Sequence, residues 1–165
     1  MSHNTPQADA TGHEMTAPSG VDARRQMAGL LGDFVQNVRG VRHALLISRD
    51  GLTLVDSEIH KDFADRWAAA LGALASLCES IPGPEGGTGL GLKLAVVERE
   101  DALIFASIAG TSAVFPNRPG NTKGVVDTVL AVIAQPGANA GAVGYEMGAL
   151  VDRFAPYMVE PVRSA

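Results

Sequence analysis

Nucleophiles, bases and glycine-rich turns all occur in this chain, but not in the patterns that catalysis needs. The segment GGTGLGLK at 86–93 comes nearest. A phosphate-binding loop reads G-x-x-x-x-G-K-[ST] between a strand and a helix, so that backbone N–H groups and the lysine converge on phosphate. Here Leu92 separates Gly91 from Lys93, and a strand-like alternation follows instead of a helix. A dinucleotide fingerprint fails as well, because Leu92 stands where the third glycine belongs. His43 lies inside an apolar run, and no acid or base partner is assignable to it, so it reads as a packed or half-exposed structural residue. Cys78 is the only cysteine and sits late in an apolar helical pattern, where a thiol behaves as a small hydrophobe. Ser48, Ser57 and Ser107 lack a G-x-S-x-G setting. Glu98, Glu100 and Asp101 read as a solvated turn. His3 and His13 lie in a segment without the fixed geometry a metal site requires. The expectation is therefore no catalytic residue, no cofactor and no metal.

The elements that would position any function are clearer. The 165 residues suffice for one domain, and 46% hydrophobic against 19% charged residues is a folding composition. A net charge of −5, no Lys/Arg run and few aromatics argue against nucleic acid as a partner. No apolar run is long enough to span a membrane, and the N-terminus lacks the apolar core of a signal peptide. A single cysteine fits a reducing compartment, so the expected location is cytoplasmic, with any membrane recruitment through a partner.

Residues 1–19 are poor in large apolar groups and are expected to be a disordered tail, with a single domain at 20–160 and a short tail at 161–165. Ser19 and Asp22 have capping-box spacing, and Met27, Leu30, Leu31, Phe34, Val35 and Val38 repeat at helical period, predicting a helix over 21–39 stopped by Gly40. The stretch GVRHALLISRDGLTLVDS at 40–57 predicts a hairpin about Asp50-Gly51, its first strand apolar on both faces and so covered twice. Asp62 would cap a helix over 63–80. One stripe of that helix holds Phe63, Trp67, Leu71, Leu74 and Cys78; another, of small residues, holds Ala64, Ala68, Gly72 and Ala75. The small stripe suits either close approach by a second element or a tight contact within the domain. Leu90, Leu92, Leu94 and Val96 predict a third strand, Ala102 to Ile108 a fourth, 109–124 a long loop and Val125 to Ala134 a fifth strand. Asn139 would cap a last helix ended or bent at Pro156. The order α-β-β-α-β-β-β-α implies an α/β (α+β) sandwich, an antiparallel sheet with helices on both faces.

Three segments carry a resemblance to a known family. LLGDFVQNVRGVRHALLISRDGLTLVDSE at 30–58, DFADRWAAALGALASL at 62–77 and GYEMGALVDRF at 144–154 are similar to the roadblock (dynein light-chain) domain, and most to the small bacterial members encoded beside a sensor kinase and a small Ras-like GTPase in actinobacterial gene clusters. The resemblance implies a five-stranded antiparallel sheet with one helix on one face and two on the other. It implies a homodimer built from edge strands and middle helices, which would account for the small-residue stripe and the leucine-rich third strand. It also implies a non-enzymatic regulator of a small Ras-like GTPase. A nucleotide-independent scaffold linking sensor-kinase components, or a small-ligand sensor, are the alternatives. Expected dimer or partner positions are Asp65, Arg66, Ala69, Gly72 and Ala73 on the second helix, with Leu90 and Leu92 on the edge strand. The 110–127 connection is long for the family, and Arg118 and Lys123 on it are candidates for an acidic partner.

Overall fold

The structure is a computed structural model that describes residues 20–87, 91–115 and 124–162. The expectations for the 1–19 tail, the Ser19 end of the capping box, Leu90, Arg118 and Lys123 fall outside these residues. The elements are α1 (Gly20–Asn37), β1 (Val41–Ser48), β2 (Thr53–Asp56), α2 (Lys61–Ser80), β3 (Ala95–Glu98), β4 (Leu103–Ser112), β5 (Val126–Ala134) and α3 (Ala140–Phe154), with a 3₁₀ turn at Ala155–Tyr157. The five strands form one sheet in the order β2-β1-β5-β4-β3, with every neighbouring pair antiparallel. The element order and the layer arrangement are those expected.

Two cores lie on opposite faces of the sheet. On one, α1 and α3 bury Met27, Leu31, Phe34, Val143, Met147 and Phe154 against Leu46, Phe105, Leu130 and Val132. On the other, Ala68, Leu71 and Ala75 of α2 cover Leu45, Ile47, Ile104, Ala106, Val129 and Ala131. Consecutive residues of β1 and β5 thus feed alternate cores, so both strands read as continuous apolar runs.

Local chemistry sets the ends. Asn139 caps α3 by accepting from the Ala142 N–H at 2.9 Å, as its type and place predict. Pro156 falls in the 3₁₀ turn that ends α3. The cap of α2 differs from expectation: His60 Nδ1 accepts from the Asp62 N–H at 3.3 Å, and Asp62 lies inside the first turn, where its negative charge favours the helix N-terminus. The β1–β2 loop is Arg49-Asp50-Gly51, closed by a Gly51 N–H to Ser48 carbonyl bond of 2.9 Å. Positive φ is needed only at Gly51 (90°), which makes a three-residue loop with a bulge rather than a two-residue turn. The Ser48 hydroxyl donates to Asp50 and accepts from the Leu52 N–H, fixing the loop from below.

Two strand boundaries correct the expectations. The alternation Leu92-Leu94-Val96 does not continue as one strand: β3 begins only at Ala95. Ala95 pairs with Ala106, which would set Lys93 opposite Ile108, yet the Ile108 N–H bonds to the Leu92 carbonyl at 3.2 Å. A one-residue slip turns a side chain to the other face. Leu92 accordingly packs with the α2-side core, and Leu94 lies at Gly144 of α3. The second correction is at 109–112, expected as loop but part of β4. Gly110 has φ of 110°, and the register shifts between Ile108 and Gly110, so the glycine absorbs a bulge and the strand runs on to Ser112. Thr128 Oγ1 donates to the Gly110 carbonyl at 2.7 Å and holds the bulge to β5. Glycine and polar residues made this segment resemble a loop.

Candidate functional site

Among the described residues, no group of three or more His, Cys, Asp or Glu side chains could hold a metal ion. The titratable groups that stand out are isolated. His43 stacks beside Trp67 with ring centroids 5.1 Å apart. Burial, helped by the charge of Arg42, lowers its pKa. Lys61 has a raised pKa because it donates to Asp65 at 2.6 Å on the surface of α2. Cys78 is half-buried, less enclosed than its apolar surroundings in the sequence predict.

The feature that is built across many residues is the outward face of α2. Its small residues point inward: Ala64, Ala68, Gly72 and Ala75 are buried. Gly72 lies so close to the β1–β2 loop that a Cβ there would meet Gly51 Cα at 2.9 Å. The small stripe therefore serves contact within the domain, and Gly72 is covered by the loop instead of facing a partner. Of the two readings of the stripe, its packing favours the contact within the domain over close approach by a second element. Large apolar residues take the outer side. Phe63 is 55% exposed and Leu77 65%, and Ile81, the C-cap residue just past the helix, is 64% exposed. With half-buried Trp67 and Leu74 and exposed Ala70, they recur at alternating steps of four and three residues. That is the spacing of a seam that packs another helix. Sequence inspection assigned Phe63 and Leu74 to one stripe with the buried Leu71; the 4-3 spacing from Phe63 to Ile81 was the available signal.

Polar residues flank the seam. Asp65 and Arg66 are exposed on α2, with Asp65 tied to Lys61, and Ala69 and Ala73 are exposed beside them. Aromatic contacts extend the seam at its N-terminal end, His60 to Phe63 at 6.3 Å and Phe63 to Trp67 at 5.8 Å. At the sheet margin, β3 is the outermost strand. Its Val96 is exposed, as is Leu94 just before it, while Leu92 is half-buried.

A family model described as the Roadblock/LC7 domain matches residues 27–111, from the middle of α1 through β4. The chain belongs to the Roadblock/LC7 family. A Roadblock/LC7 domain from Streptomyces avermitilis is 34% identical in sequence over 79% of this chain and 95% of its own, with a TM-score of 0.62. A second from the same organism is 28% identical over 78% and 97%, at 0.56. The gliding protein MglB from Thermus thermophilus shares the fold at 18% identity, over 81% of this chain and 88% of its own, at 0.62. No curated protein matches the chain significantly. In this roadblock domain the matched region contains the α2 seam and β3, and no described helix is long and apolar enough to cross a membrane.

Proposed function

We propose that this roadblock protein is a homodimeric docking module, without catalytic residues of its own, that binds a small Ras-like GTPase and modulates it. The observation that carries the reading is the open apolar face of α2. Leaving Phe63, Leu77 and Ile81 in water forgoes burial worth about 25 cal/mol per Å². Contiguous apolar helix faces of this kind mark interaction sites. The outermost strand β3 lies in the same matched region, and pairing it with a second copy would satisfy its free backbone edge. The polar flank of Lys61, Asp65 and Arg66 has the character of an interface rim, where charges steer and orient more than they bind. Asp65, Arg66, Ala69, Ala73 and Leu92 remain proposed contact positions, together with Leu90, Arg118 and Lys123 beyond the described residues. The GTPase comes from the family resemblance, in which the hydrolytic chemistry belongs to the partner's nucleotide site.

The test is affinity capture from a lysate of the source organism with GDP in one arm and a non-hydrolysable GTP analogue in the other. The expected result is a Ras-like GTPase enriched in the analogue arm. Equal recovery in both arms would replace the regulator by a nucleotide-independent scaffold linking signalling components such as a sensor kinase. Recovery in neither arm would contradict the GTPase reading.

A further inference from the structure

Beside the N-terminal half of α2, the ends of β1, β4 and β5 enclose a hollow of about 410 Å³. That volume falls within the range of small-molecule sites, roughly 300–1,000 Å³. Ile104 and Ile133 form its floor, and the half-buried rings of His43 and Trp67, with centroids 5.1 Å apart, form an aromatic wall. Two guanidinium groups stand at its mouth, and both are open to solvent. Arg42 is exposed, and the Arg99 side chain is 57% exposed. A ligand entering the hollow reaches both without disturbing the core.

The fold places these two groups. The β1–β5 register shifts between Val41 and His43, and the extra residue in that bulge is Arg42. A bulge re-aims a side chain, here so that Arg42 reaches Gln135 just past β5. Arg99 lies in the β3–β4 turn, which its own N–H closes by donating to the Ala102 carbonyl at 2.9 Å.

The charges at the mouth are unequally matched. Asp101 is taken by Arg99, which donates to it at 2.9 and 2.7 Å. Arg42 forms no ion pair among the described residues and donates only to the neutral Gln135 side chain, at 3.2 Å. The hollow therefore carries an excess of positive charge, although the whole chain is at −5. Burial, helped by the charge of Arg42, lowers the pKa of His43, so that ring adds no charge at neutral pH. A carboxylate is a better acceptor for a guanidinium than an amide oxygen, because charge-assisted bonds are roughly twice as strong.

We infer that this hollow is a binding site for a small aryl carboxylate, its ring against Trp67 and His43 and its carboxylate on Arg42. Trp67 also belongs to the α2 seam, so the site adjoins the proposed docking face, but the binding does not rest on docking.

The full-length protein is titrated at neutral pH with benzoate, benzyl alcohol, benzylamine and acetate. The indole N–H signal of Trp67, the only tryptophan, is followed by NMR. Benzoate is expected to bind saturably and more tightly than each of the other three, which lack its charge or its ring. Arg42→Gln should weaken benzoate about 3- to 10-fold, and Asp101→Asn should tighten it by a similar factor by freeing Arg99. Both positions are exposed, so the variants should keep the fold. The titration is repeated on Leu77→Glu, which alters the seam at a residue that does not line the hollow, and the same affinity is expected. Equal or tighter binding of benzyl alcohol, benzylamine or acetate would overturn the inference, as would unchanged affinity in Arg42→Gln or Asp101→Asn. Failure of benzoate in both the wild type and Leu77→Glu would overturn it outright. Failure in the wild type alone would overturn it too, by giving the hollow to a second copy, and would leave the self-association reading standing.

Discussion

Gly72 and Gly51 meet where α2 crosses the β1–β2 loop, and neither position has room for more. Any side chain on Gly72 must displace loop backbone, since Gly51 N and the Arg49 carbonyl also lie within about 3.1 Å of the added carbon. Gly72→Val should cost about 1–3 kcal/mol by overpacking, read as a drop in the denaturation midpoint, whereas the same change at exposed Gly148 should cost far less. His43 makes a pH-dependent contribution. Its pKa is lowered in the folded chain by burial and then by Arg42; Trp67 stacks on it, and Arg99 and Asp101 line the same hollow. Between the ordinary histidine pKa and the lowered folded value, the unfolded chain binds more protons. Stability from this group is therefore full above about pH 6.5 and falls as pH drops through that window. Urea denaturation at pH 7.5 and 5.5 should show a larger acid loss for the wild type than for His43→Gln. Equal losses would remove His43 as the cause.

At the scale of elements, β1 holds the two cores together, and Leu46 on it is completely buried between β2 and β5 under α1. Leu46→Ala should cost about 2–5 kcal/mol through lost burial and a residual cavity. A loss below about 1 kcal/mol would mean that the site collapses freely. The periodic elements were readable in the sequence because their patterns have one cause: α1 and α3 carry apolar residues at helical spacing, and β1 carries a doubly covered run. β3 was not readable as it stands. Leucines at every second residue describe a strand only while register holds, and the slip between Leu92 and Ala95 arises from tertiary contacts with Ile108 and Gly144. The end of β4 was hidden by Gly110, which marks a bulge and not a loop. On α2, the sequence showed two usable stripes without saying which faces the sheet. The answer depends on the Gly51 loop, which admits only a helix face of small residues.

For the whole molecule, the arrangement divides labour between faces. α1 and α3 close one side of the sheet and enclose the larger core, while α2 alone covers the other and keeps an apolar seam outward. A dimer formed through that seam and β3 would present one continuous surface to a GTPase, which is why the reading turns on self-association. The most direct test is the solution mass by light scattering over a micromolar concentration series, for the wild type and for Leu77→Glu and Ala73→Arg. Both substituted positions are exposed in the single chain, so the variants should remain folded. The wild type is predicted to show twice the 17.1 kDa chain mass, and both variants to fall to the single-chain mass with unchanged circular dichroism. A wild type that stays at the single-chain mass across the series, or variants that dimerise as it does, would contradict the account.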